Sequence, residues 1–225
     1  MIIPKMKRDS GKGFTLLELM IATTVFSVVL LLAMTGFFQI GRIFYKGVSI
    51  TQTQDITNQV GLDIGASIEG APKISALTSY KGMQYICIGK YRYTVDVTRR
   101  VDLGNTSAIS SGQVGMLKDT MSSDNSCAPP CLPNPSVCAS GELAWNKPIE
   151  LLGDKMRVES FNVQPLASVS GDYYTINLVT SYGADDMVIY TNAADHSTAQ
   201  CKTEKGREFC SVGRYNASIN RGVGL

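Results

Sequence analysis

One histidine stands in 225 residues. His196 sits in the polar stretch AADHSTAQC, and no G-x-S-x-G stretch occurs anywhere. A Ser-His-Asp hydrolase needs both, so that chemistry is set aside and His196 reads as a solvent-exposed loop residue. Charge is also scarce, at 18% of residues with a net of +2. Lys5, Lys7, Arg8 and Lys12 against Asp9 give residues 1–13 a charge of +3, which leaves the remainder at −1. So neutral a body has no electrostatic footprint for nucleic acid. Arg99, Arg100, Lys202, Lys205 and Arg207 lack the clustered aromatics of a stacking platform and read as a solvated face. No EF-hand spacing surrounds Asp185 and Asp186 in GADDM, which reads as a tight turn before a strand. No internal repeat occurs, and the N-x-S triplets at Asn105 and Asn216 are given no role. Sparse charge with plentiful Ser, Thr and Gly suits a secreted, loop-rich β domain better than a cytosolic enzyme.

Cysteine is not scarce: Cys87, Cys127, Cys131, Cys138, Cys201 and Cys210 are present. An even number outside the apolar N-terminal segment favours disulfides in an oxidising compartment, although six cysteines allow about 15 connectivities. Cys201 and Cys210 enclose KTEKGREF, a short loop whose closure would stabilise by roughly 2–3 kcal/mol. That pair reads first as a staple and second as a binding edge. Cys127 and Cys131 are separated by three residues, not the two of a thioredoxin motif, and no neighbouring His or basic helix end lowers a thiol pKa. Zinc held by Cys87, Cys127, Cys131 and Cys138 fits no common finger spacing. The expectation is that Cys87, on an inner strand, ties down one of the three loop cysteines and the other two pair together. No metal or cofactor is expected.

Between Glu18 and Arg42 runs LMIATTVFSVVLLLAMTGFFQIG, free of charge. As a helix it extends roughly 35 Å, enough for a bilayer core of about 30 Å. The basic residues before it predict a cytoplasmic N-terminus with the bulk of the chain outside. The run is too long for a cleaved secretory signal, and a plain anchor leaves Glu18 unexplained, because a carboxylate at membrane depth marks function by default. Cleavage after Gly13 would make Phe14 the N-terminus and Glu18 the fifth residue. The new amine and the carboxylate would lie one turn apart on one helical face, favoured by the helix dipole. The same groups could instead pair between neighbouring helices, where an apolar setting strengthens the attraction.

Beyond the span, Ile56, Val60, Ile64 and Ile68 recur every fourth residue, with Asp55, Asn58, Gln59 and Asp63 between them. This predicts an amphipathic continuation of the helix, ended by EGAP at 69–72. MQYICIGKYRYTVDVTRR reads as a hairpin turning at Gly89-Lys90. Further strands are expected at 156–163, 173–182 and 187–191. With no helical crossovers between them, an antiparallel sheet follows. The segment 104–141, rich in Ser, Gly, Pro and Asn, reads as a long stapled loop. The fold class is α+β: a long N-terminal helix packed on an antiparallel sheet in a roll. The expected boundaries are a leader at 1–13, a membrane or filament-core half-helix at 14–41, an amphipathic half at 42–70 and a β-rich domain at 71–225.

GFTLLELMIA, with its basic leader, resembles the class III signal of type IV prepilins and pseudopilins: Gly, then Phe, then Glu at the fifth mature position of a long apolar helix. The resemblance implies a pilin-like roll, cleavage after Gly13 by a prepilin peptidase, N-methylation of Phe14, and a role for Glu18 in recruiting and registering subunits. It also implies a surface disulfide loop near the C-terminus, met here by Cys201 and Cys210, and variable surface at 104–141 and 201–210. One departure is Thr35 where many major pilins carry Pro; Gly36, Gly41 and Gly47 would each weaken the helix by about 1 kcal/mol relative to Ala. ELLGDKMRVESFNV followed by YYTINLVTSYG is similar to W- and J-type minor pilins and pseudopilins. Glu18 separates this chain from the pseudopilin class that lacks the residue at the extreme tip. The implied partners are other pilin subunits through the N-terminal helix, prepilin peptidase, a pilus or secretion assembly platform, and the membrane. The implied site is the cytoplasmic membrane, then a periplasmic or extracellular filament. Such a chain is the substrate of an enzyme and not itself one. Three functions fit this pattern: a minor pilin for adhesion, motility or DNA uptake; a pseudopilin of a type II secretion or competence system; and an anchored surface binding protein that does not polymerise.

Overall fold

One long helix, α1, runs from Leu16 to Glu69 in a computed structural model that describes residues 14–101, 115–121, 127–131, 138, 140–166, 172–203 and 209–222. The chain divides into two units, Met1–Phe44 and Tyr45–Leu225. In the first unit α1 is apolar on every side. In the second it is amphipathic. There Val60, Ile64 and Ile68 are buried in the main core and Ile56 packs against it, as their four-residue spacing predicts. The helix stops at Glu69, with Gly70 and Pro72 immediately beyond.

Ten strands follow among the described residues: β1 Thr78–Tyr80, β2 Met83–Ile88, β3 Tyr91–Val95, β4 Met116–Thr120, β5 Ile149–Glu150, β6 Met156–Pro165, β7 Tyr173–Tyr182, β8 Val188–Asn192, β9 Asp195–Cys201 and β10 Ser211–Asn220. They form an antiparallel five-stranded sheet β1-β2-β3-β4-β5, a three-stranded sheet β10-β7-β6 and the two-stranded ribbon β8-β9. The β2–β3 hairpin pairs Ile88 with Tyr91 around Gly89-Lys90. Gly89 takes φ +58° there, a left-handed conformation open to glycine. One core unites α1 with both larger sheets, through Ile86, Tyr93, Val95 and Met116 from the first and Val158, Phe161, Ile176 and Leu178 from the second. The expected α+β class is therefore observed, with the strands distributed over three sheets.

Two expectations are corrected, and one packing face is added. The segment 104–141 is not a continuous loop, because Met116–Thr120 is a central strand paired with β3 and β5. Its Ser- and Gly-rich flanks hide a strand whose buried members, Met116, Leu117 and Asp119, do not alternate. His196 lies in β9, not in an exposed loop. In that strand Ala199 alone is fully buried, so apolar alternation gives no signal. Finally, α1 carries a second buried stripe that hydropathy does not reveal: Thr53, Thr57, Gly61 and Gly65. Against it lies β10. A Cβ at Gly61 would stand 2.4 Å from the Tyr215 ring, and one at Gly213 would stand 2.2 Å from the Thr57 hydroxyl. The strand approaches the helix this closely because a glycine on one element meets each side chain on the other, Gly61 under Tyr215 and Gly213 under Thr57.

Candidate functional site

The N-terminus of α1 carries the residues singled out from the sequence. Gly13 lies outside the described residues, as do Lys205, Arg207 and Asn105. Phe14 is 88% exposed. Thr15 caps the helix: its hydroxyl accepts from the Glu18 N–H at 3.2 Å, while Glu18 Oε2 accepts from the Thr15 N–H at 3.0 Å and its hydroxyl at 2.9 Å. This reciprocal arrangement is a capping box, in which one side chain at each end satisfies amides that the first turn leaves open. The sequence carries the signal as Thr-Leu-Leu-Glu, and attention to the Glu18 charge alone misses Thr15.

The turns that follow, from Leu19 to Thr35, solve a different problem. A hydroxyl in hydrocarbon is costly unless it is hydrogen-bonded. The Thr23 hydroxyl donates to the carbonyls of Leu19 and Met20, Thr24 to Met20, Ser27 to Thr23 and Thr35 to Leu32, at 2.7–3.0 Å. Each hydroxyl of the apolar run is thus satisfied by its own helix, as burial in lipid or among other helices demands. Phe26, Leu31, Leu32, Phe37 and Ile40 are each more than 60% exposed in the single chain. An apolar surface this continuous marks an interaction site. By length and composition α1 is able to cross a membrane.

A family model for the prokaryotic N-terminal methylation motif matches residues 8–34. The chain is type IV pilin-like at its N-terminal segment. That match covers the leader from Arg8 onward, Gly13, Phe14, the capping box and most of the uncharged run. No curated protein and no solved structure matches the chain. The pilin-like assignment therefore stands on the N-terminal motif together with the helix, the antiparallel sheets and the disulfides.

Away from this segment, the six cysteines are joined as Cys87–Cys127, Cys131–Cys138 and Cys201–Cys210. The four weighed as zinc ligands are thus consumed in disulfides. Cys87 in β2 fastens residues 127–131 to the five-stranded sheet. Arg92 holds the same segment from within: it pairs with Asp119 through Nε at 3.0 Å and Nη2 at 2.7 Å, and donates through Nη1 to the carbonyls of Ala128 and Leu143. Both charges are fully buried and their hydrogen bonds answer one another, the condition under which a buried ion pair is tolerated.

A second buried polar group fastens the β8–β9 ribbon. Glu159 accepts from Arg157 Nε at 2.7 Å, from the Ser181 hydroxyl at 2.5 Å and from the Tyr190 hydroxyl at 2.7 Å. His196 lies against the Tyr190 ring with centroids 4.4 Å apart, its Nδ1 4.0 Å from Glu159 Oε2. Burial, then the hydrogen bond to Glu159, pushes the Tyr190 hydroxyl up to about 12. Asp185, in the single turn before β8, pairs with Arg157. These groups are structural ties between strands, and sequence spacing gives no hint of them.

Proposed function

We propose that this chain is a filament subunit, a minor pilin of a type IV pilus. Its leader, residues 1–13, is removed by a prepilin peptidase, and Phe14 becomes an N-methylated N-terminus. Residues 14–41 hold the subunit in the membrane and then enter the filament core; 42–70 carry the β-rich domain, 71–225, on the outside. Glu18 registers each helix against its neighbours. One observation supports the proposal: the methylation motif at residues 8–34 opens a helix whose uncharged run, 19–41, exposes its apolar side chains while each of its hydroxyls bonds to its own backbone. Such a surface is costly in water and requires lipid or other helices.

The test is mass spectrometry of the N-terminus after co-expression with a prepilin peptidase. The expected mature chain begins at N-methyl-Phe14. An intact Met1 under the same conditions would overturn the proposal and leave an anchored, non-polymerising protein.

A further inference from the structure

The outer face of the β10-β7-β6 sheet holds three asparagines in one row. Asn177 in β7 is paired in register with Asn162 on one side and Asn216 on the other. Phe161, Val163, Ile176 and Leu178 beside them are buried, so alternation turns the three amides outward. Asn is disfavoured in strands, yet three stand side by side in this register. Beside it the tip of the β8–β9 ribbon borders an open groove of about 400 Å³ whose polar lining includes the three asparagines with Asp195, Ser197 and Arg214.

The chemistry of the groove is specific. The Asn216 amide donates to Asn177 Oδ1 at 2.6 Å, which fixes both side chains in a line. The Asn177 Nδ2 group and the whole Asn162 amide have no hydrogen-bond partner among the described residues. Asp195 is held by the Ser197 N–H and hydroxyl at 3.0 and 2.6 Å, and Arg214 by the Ala199 carbonyl at 2.6 Å. One carboxylate and one guanidinium leave the groove without net charge, so it has no preference for an anion or a cation. The floor offers alternating donors and acceptors over about 10 Å, set by the strand spacing. Hydroxyl groups both donate and accept, and adjacent hydroxyls on a ring match planar amides, carboxylates and guanidinium groups. We propose that this groove binds a neutral oligosaccharide, a property independent of filament assembly.

The experiment uses the full chain in dodecylphosphocholine micelles, with N,N′-diacetylchitobiose and α-1,2-mannobiose as probes in saturation-transfer NMR. Transfer to at least one probe is expected, with a Kd on the order of 1 mM. Asn177→Leu is expected to weaken it at least about tenfold, whereas Gln164→Leu, on the same face but outside the groove, leaves it unchanged. Trp145 fluorescence reports whether the variant keeps its fold; if Asn177→Leu shifts the unfolding midpoint, the exposed Asn216→Ala variant takes its place and the same weakening is required of it. The proposal is overturned by absence of transfer to both probes at about 10 mM, or by unchanged transfer in the folded variant.

Discussion

The two halves of α1 share a backbone and differ in how they satisfy it. From Leu16 to Phe44 the apolar side chains face outward, most of them more than half exposed, and the hydroxyls turn back onto their own carbonyls. From Tyr45 to Glu69 the pattern reverses. Val60, Ile64 and Ile68 are 0–3% exposed, and the Thr hydroxyls reach across to other elements: Thr53 to Ser211 and Thr57 to Thr180, both at 2.5 Å. The exposed apolar side chains of the first half suit any apolar solvent or neighbouring helix. The second half is complementary to the two larger sheets of its own domain. A helix that must leave a bilayer and pack among copies of itself needs the first kind of surface; a helix that carries a fixed domain needs the second.

The largest effect is expected in the first half, at Glu18. Glu18→Val is expected to leave membrane insertion and processing intact while removing the subunit from filaments, read by immunoblot of the sheared fraction. Glu18→Gln separates two causes, because Gln also completes a capping box with Thr15 while carrying no charge. Loss of incorporation in both variants assigns the role to the charge. Incorporation of the Gln variant at wild-type level would assign it to the cap and would refute the pairing of Glu18 with a subunit amine.

How legible each half is in the sequence follows from the same difference. The N-terminal signal is local: Gly13, Phe14, Thr15 and Glu18 are consecutive or one turn apart, and the uncharged run needs no partner to be recognised. The stripe Val60, Ile64 and Ile68 and the hairpin at Gly89 are legible for the same reason. The Thr53, Thr57, Gly61 and Gly65 stripe is not, because small and hydroxyl residues declare a packing face only when the strand that fills it is known, and β10 lies about 160 residues downstream. Likewise the anchoring of residues 127–131 depends on Arg92 meeting Asp119 across β3 and β4, and the asparagine row depends on the register of three strands.

Within the second half, Gly61→Ala is expected to destabilise the folded unit by about 1–3 kcal/mol, since its methyl would enter the Tyr215 ring. Denaturant titration of the full chain in micelles, followed by Trp145 fluorescence, measures it. The cost should vanish on a Tyr215→Ala background; an unchanged cost there would mean that helix distortion, not the ring, is responsible. Thr57→Val is a smaller test in the same assay. It keeps the shape but strands the Thr180 hydroxyl, for an expected loss of about 1.5 kcal/mol. In the first half, Thr23→Val breaks only a bond to its own backbone and is expected to leave the midpoint unmoved.

The smallest effect should carry the opposite sign. Gly47 is an exposed position in the interior of α1, and a Cβ there would meet nothing within 4 Å. Gly47→Ala therefore removes backbone freedom from the unfolded chain without a steric cost, a gain of about 0.8 kcal/mol. Amide hydrogen exchange at residues 45–51 is the sensitive readout, because a turn near the junction of the two units opens locally rather than with the whole domain. Exchange is expected to slow by roughly fourfold, the factor that corresponds to such a gain. The same Gly→Ala change thus stabilises at position 47 and destabilises at position 61, on one helix, with the sign set by whether a partner occupies the space above the Cα. Unchanged or faster exchange in Gly47→Ala would mean that this surface is already covered in the single chain, and the contrast between the halves of α1 would have to be drawn further toward the N-terminus.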